Sequence, residues 1–409
     1  MGVGWHSDRR ESLRQLTFLC VMAATKGLYA QAFLREIKLQ GHRVLVLTQA
    51  DALGYDWPRD IIDELFAVVN IFDPKLVRDT VSYVARHEAI DRVVALGEYD
   101  IEIGAMLREH LQMPGIGVTT ARSFRDKLAM RRLASEAGLR VPAFTKLFPY
   151  AAMGAFMAEV PGPWVLKPRT EASSNGIKVI HHPEELWREL DRLGDEQSNF
   201  LLERFTPGDV YHVDGIVSEG KVVMARAHRY GMPILQLHRQ GGVYTTRALK
   251  RGDALEKDLL AFNEQVVAAL GLPFGVTHIE YIRSAEDGKF YFLEASARVG
   301  AGMIEDMVQA ETGLNLWAEW ARLEIAEALG EAYRMPAIAK AYAGVAACMA
   351  PYEYPDLRGY AEPGVTPLAA KPYHASVLVT GDDVAIVEAK LQAVAERLAR
   401  DFMVHVPGH

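Results

Sequence analysis

Between Leu16 and about Leu111 four short apolar runs, "LTFLCV", "RVLVLT", "AVVNIF" and "RVVALG", are separated by segments with charged faces. That alternation restricts the fold sharply, because strands joined through helices pair in parallel, with the helices packed on the sheet. It predicts an α/β domain at the start of the chain. Binding residues in such sheets lie at the carboxyl ends of the strands, here "ATKG" (Ala24 to Gly27) and "GEYD" (Gly97 to Asp100). Glu98 in the second of these is a candidate partner for a substrate amine and, equally, a carboxylate at a helix start. "MPGIG", Met113 to Gly117, punctuates the end of the domain.

An α+β block follows. "FRDKLAMRRLASEAGLRVPAF" reads as a helix with Asp126 in its first turn, stopped by Gly138 and by the Val141-Pro142 entry into a strand. "WVLKP" and "IKVIHH" are strands joined by the polar loop "RTEASSNG", and "NFLLERF" is a further strand. "VYHVDGIVSEGKVVMARAHRY" is broken by a Ser-Glu-Gly hairpin turn, and "THIEYIRSAEDGKFYFLEASAR" turns at Asp287-Gly288. A last strand, "AYAGVAACMAP", precedes a helix whose Val387, Leu391, Val394 and Leu398 share one face. These breaks divide the chain into residues 1–114, 115–205 and 206–409.

The chain's 409 residues, half hydrophobic and 24% charged, suffice for several cores and for an enzyme. A net charge of -8 argues against broad nucleic-acid binding. Cys20 and Cys348 alone give neither a disulfide framework nor a zinc spacing, which suits a reducing cytoplasm. Arg9, Arg10 and Arg14 before "LTFLCVMAA" have the layout of a secretion signal. The run continues into helix, glycine stop and strand, so a first buried strand is the better reading. "MGVGWH" lacks the hydroxyl residue of a myristoylation site, and no apolar run approaches the roughly 20 residues that span a bilayer.

The chemistry concentrates in "FLEASARVGAG", Phe292 to Gly302. Glu280 and Glu294 stand on the two arms of one hairpin, where strand alternation can turn both carboxylates to one face. An isolated pair of this kind is usually a wet hairpin surface. Here "YFLEA" is too apolar for that, and the glycines after Arg298 allow close approach by a ligand. A hard divalent cation, magnesium above all, relieves the repulsion, with Ser296 as a third oxygen on the same face. Arg298 can reach a phosphate or a carboxylate with its planar fork. Lys127 and Lys167 would each be ordinary lysines alone, but Lys167 ends an apolar run beside a loop whose Ala172, Ser173, Ser174 and Gly176 can curl N–H groups around phosphate oxygens. That loop is not the P-loop pattern.

The order of these fragments resembles the ATP-grasp superfamily of carboxylate-amine ligases. "RDKLAMRRLASEAGLRVP" resembles the first nucleotide lysine with its helix, and "VLKPRTEASSNGIKVI" the second lysine with the loop over the phosphates. "LLERFTPGD" resembles the adenine hinge, "HIEYI" and "FLEASARVGAG" the two metal-binding strands, and "ETGLNL" the turn after them. The likeness covers roughly residues 115 to 325. It implies a Rossmann-like N-terminal domain followed by an ATP-grasp fold with a mobile central lobe. Lys127 and Lys167, with Ser173, Ser174 and Gly176, would hold the phosphates of ATP, while Glu203 and the backbone through Phe205 would meet adenine. Glu280, Glu294 and Ser296 would bind magnesium, two ions by the family pattern, which manganese could replace. Glu294 and Arg298 would flank the transferring phosphoryl group.

Two positions depart from the pattern. The family usually has Asn where Ser296 stands, and a ribose-binding Glu where Val210 stands, with Asp209 as the neighbouring substitute. The layout is most like ligases that join amino acids, with biotin-carboxylase-like enzymes more distant. The partners implied are a small carboxylate and an amine, with neither nucleic acid nor membrane, and a homodimer is left open. Among His228, Tyr230, His238 and Arg247, Arg247 is the candidate for a substrate carboxylate, the others reading as structural or peripheral. An ATP-dependent carboxylating or other acyl-phosphate-forming enzyme is the rival reading, and a nucleotide-binding protein without turnover the third.

Overall fold

The structure is a computed structural model that describes residues 14–23, 29–172, 174–369 and 371–403. Ser173 and the "ATKG" segment fall outside this set. The alternating N-terminal runs form a parallel sheet, β1 (Thr17–Val21), β2 (Arg43–Gln49), β3 (Glu64–Val68) and β4 (Arg92–Ala95), in the order β3-β2-β1-β4. Central β1 is buried throughout, as an apolar run covered on both faces must be. The third strand is "ELFAV", earlier than the "AVVNIF" run suggests. After Val68 the Asn70 side chain accepts the Phe72 N–H at 3.0 Å and Asp73 caps the helix Pro74–Val84, so local polar bonds turn the chain and leave Val69 and Phe72 exposed.

The second block is an antiparallel sheet of β5 (Phe144–Lys146), β6 (Trp164–Pro168), β7 (Lys178–Ile180) and β8 (Phe200–Arg204), ordered β5-β8-β6-β7. The helix before it runs Lys127–Glu136. Asp126 is its N-cap rather than a first-turn residue, accepting the Leu128 and Ala129 N–H groups at 3.0 and 3.4 Å.

The largest sheet holds β9 (Gly208–Ser218), β10 (Lys221–Tyr230), β11 (Tyr244–Ala248), β12 (Gly275–Ser284), β13 (Phe290–Ser296), β14 (Tyr342–Met349), β15 (Val365–Pro367) and β16 (His374–Gly381). Its order is β13-β12-β9-β10-β11-β14-β16-β15. Glu219 and Gly220 at φ 50° and 71° make the β9–β10 turn, where the twist of a hairpin demands positive φ. The helix Val384–Phe402 buries Val387, Leu391, Val394 and Leu398 as their spacing predicts. One apolar cluster joins the N-terminal sheet to the helices Ile304–Thr312 and Leu316–Leu329. Beside it the buried Arg92–Glu324 pair, 2.5 Å apart, ties β4 to the second of these helices. Val276, His278 and Glu280 alternate onto the face of the large sheet that meets this cluster, so the site lies farther along that same face, while the helix Ala254–Leu270 covers the other.

Candidate active site

Strand alternation and the hairpin turn set the acid pair. Glu280 on β12 stands directly opposite Glu294 on β13, so both carboxylates project from one face. Glu280 accepts the Tyr230 hydroxyl at 2.8 Å and lies 3.6 Å from His278 Nε2. Burial alone would raise its carboxyl, but His278, Tyr230 and Lys127 outweigh that and hold it below its ordinary value. Glu294 pairs with Lys127 Nζ at 2.9 Å, and the same ammonium donates to the Glu171 carbonyl at 2.6 Å.

On β6, Trp164 and Leu166 face their core while Val165 and Lys167 face the cleft, which sets Lys167 Nζ 2.5 Å from Glu203 Oε1 on β8. Burial makes the ammonium costly, and the Lys167 pKa falls to about 8 despite that carboxylate. Glu203 is held ionised by Lys167 and by Arg131, whose guanidinium is wholly buried and 3.0 Å from Glu203 Oε2. Arg131 also donates to the Leu293 carbonyl, so one side chain links the helix Lys127–Glu136, the central sheet and the acid-bearing hairpin. The sequence reading missed it, although its place four residues after Lys127 puts both on one helix face.

Glu98 is not free for an amine. Arg125 Nη1 at 2.9 Å, Arg298 Nε at 2.7 Å and the Ser296 hydroxyl at 2.6 Å all donate to it, and they hold its pKa near about 2 against the effect of burial. Two guanidiniums around one carboxylate leave a net positive patch suited to an anion. Ser296 therefore spends its proton on Glu98, and Arg298 reaches the cleft through the same carboxylate.

Two further expectations are corrected. Arg247 points away from the cleft, because Thr246 takes the cleft face of β11 and bonds His212 Nε2 at 2.7 Å, leaving Arg247 on the other face to pair with Glu388. Asp209 pairs with Arg229 at 2.8 Å on the outer face of β9, while Val210 lines the cleft. The Phe205 N–H is committed to the Pro163 carbonyl at 2.9 Å, although Phe205 lines the cavity. Ser174 also lines it, at φ 58°, and at Gly176 (φ 70°) a Cβ would meet Pro168 Cγ at 2.8 Å, so the loop closes tightly on β6. The His238 side chain lies outside the described residues.

Behind Glu280 lies a buried network that sequence reading did not foresee. Asp214 receives His212 Nδ1 at 2.6 Å, His228 Nδ1 at 3.1 Å and His278 Nδ1 at 2.9 Å. Burial drives His212 down to about 4, whereas Asp214 outweighs burial at His278 and lifts it to about 9. The period-2 spacing of His212 and Asp214 in "YHVDG" placed them on one face, but the strands bearing His228 and His278 meet them only in the sheet.

Two cavities meet at this acid pair. One, about 170 Å³, lies between the central and C-terminal sheets, with Val165, Phe205, Ile282 and Leu293 as apolar walls and both lysines in its lining. The other, about 760 Å³, opens past Arg298 along the large sheet. Lys127, Glu280 and Glu294 line both. An apolar slot ending in lysines fits a nucleotide, and the facing carboxylates fit a hard divalent cation.

Residues 160–306 match the family model of the ATP-grasp domain. Among curated proteins, the L-arginine-specific L-amino acid ligase of Bacillus subtilis is 22% identical over 261 residues, 62% of each chain. The chain spans about half to three fifths of the length of the first curated relatives it matches, 46% to 62%. Among solved structures, an L-amino acid ligase from Bacillus licheniformis superposes with TM-score 0.69 at 18% identity, over 94% of this chain and 98% of that one. The biotin carboxylase domain of the Hydrogenobacter thermophilus 2-oxoglutarate carboxylase, solved with ADP, its magnesium salt and bicarbonate, gives TM-score 0.68 at 14% identity, over 95% and 91% of the two chains. The chain carries an ATP-grasp domain at residues 160–306 and has the ATP-grasp fold.

Proposed function

We propose that the protein is an ADP-forming ligase that joins the carboxylate of an amino acid, or of a similar small acid, to an amine. A substrate carboxylate oxygen bonds to the γ-phosphorus of ATP as the bond to the β-phosphate oxygen breaks, giving an acyl phosphate and ADP. The amine nitrogen then bonds to the acyl carbon, phosphate leaves, and the nitrogen loses a proton. The observation that carries this reading is the junction of the two cavities at Lys127, Glu280 and Glu294, which sets a nucleotide slot end to end with a substrate chamber.

Lys127 and Lys167 would neutralise phosphate oxygens, and the backbone around Phe205, where the Arg204 and Phe205 N–H groups are already bonded, would meet the base. Glu280 and Glu294 would hold magnesium, two ions by the family pattern, which supplies charge neutralisation at the transferring phosphoryl group. The patch around Arg125, Glu98 and Arg298 would position the substrate carboxylate beside that group. No side-chain nucleophile is required. A carboxylating enzyme is the rival. ADP release with Mg·ATP and a panel of paired amino acids tests the proposal. Amide product is expected, and release that depends on bicarbonate and yields no amide would overturn it.

A further inference from the structure

The large chamber extends well beyond the reacting groups. Its floor is one face of the eight-stranded sheet, and the register carries that face across β10 and β11 to β14 and β16. Tyr244 stands opposite Ala347, Ala347 opposite Ser376, and Met349 opposite His374. Cys348 between them turns the other way, its Sγ 3.9 Å from the Leu398 carbonyl in the last helix. Tyr244, Ala347 and Met349 therefore line the chamber, joined by Leu237, Met303 and Met403. From β12 to β14 is four strand spacings, on the order of 19 Å along the sheet. Four strand spacings separate the β14 part of this wall from Glu280, so it meets the part of a substrate that lies away from the acid pair.

We infer that this end of the chamber is a subsite for a large apolar side chain of an amino-acid substrate, with Ala347 as its size-setting residue. The inference rests on the ligase reading. The Tyr244, Ala347, Met349, Leu237, Met303 and Met403 side chains are thioether, aromatic and aliphatic, which suits methionine, leucine or phenylalanine side chains. Of the carboxylates that line the chamber, Glu171, Glu280 and Glu294 stand at the nucleotide end and Glu98 is bonded to Arg125 and Arg298, while Glu305 and Asp306 nearby lie in the field of Lys371. Ala347 is the smallest group on the floor between Tyr244 and Met349, and the volume above it is what a larger residue would remove. Lys371 and His374 also line this end, and an acidic side chain reaching them is the competing occupant.

Calorimetric titration of methionine, phenylalanine, alanine and glutamate into the Mg·ADP-loaded protein, alongside ADP release with the same amino acids, tests the subsite. Wild-type protein is expected to bind methionine and phenylalanine more tightly than alanine or glutamate. Ala347→Leu is expected to weaken the two large ligands about 10-fold or more and to leave alanine within about twofold. Met349→Glu, at an exposed position that folding tolerates, is expected to weaken the same two ligands. Equal binding of phenylalanine to wild type and both variants would overturn the subsite, as would a preference for glutamate that Lys371→Ala removes. Failure of the ligase reading has a different signature: binding sensitive to Ala347 with no ADP release from any amino acid.

Discussion

At Arg131 a fully buried guanidinium meets Glu203, which in turn holds Lys167, so three charges are stable only together. Arg131→Met removes one partner and leaves the Glu203 carboxylate short of a counter-ion away from water. A loss of about 3–5 kcal/mol in unfolding free energy is expected, read by denaturant titration. Lys167 gives a pH signature. Its folded pKa of about 8 lies below the ordinary 10.5 because burial disfavours the ammonium. The cation that would hold phosphate is present below that value and lost above it, so Mg·ADP affinity should weaken as pH rises through about 8. Lys167→Arg, permanently charged, should flatten that profile in calorimetry. Affinity unchanged across that range in wild type would remove Lys167 from the phosphate site.

Among the elements, the hairpin β12–β13 was legible in the sequence because a tight turn fixes register and period-2 alternation fixes the face. That is why Glu280 and Glu294 could be paired on paper. Alternation alone does not say which face is the cleft, and Arg247 was misread for that reason. Glu98 was read without its partners because Arg125 and Arg298 come from segments 27 and 200 residues away, brought in only by tertiary packing. The third N-terminal strand was shifted because Asn70 and Asp73 end it by local polar bonds that an apolar count does not register. The loop between β6 and β7 is expected to act as a cover. Hydrogen exchange in residues 170–177 should slow on adding Mg·ADP or an ATP analogue, and exchange there already slow and unchanged by nucleotide would deny it that role.

For the whole molecule, three sheets converge on one point. The N-terminal parallel sheet brings Glu98 after β4, the central sheet brings Lys167 and Glu203, and the large sheet brings the acid pair with the histidine and aspartate network beneath it. Each alone has an incomplete set of charges, and the cleft between them joins the smaller apolar slot to the larger chamber. The parallel sheet and the acid hairpin followed from local patterns. The two cavities and the Asp214 network did not, because they are made by strands distant in sequence. The central claim is that Glu280 and Glu294 jointly hold the cation that carries the nucleotide. Calorimetric binding of ADP with and without magnesium tests it most directly: magnesium should tighten binding in wild type, and Glu280→Gln and Glu294→Gln should each remove that gain while metal-free binding persists. An undiminished magnesium effect in both variants would contradict the account.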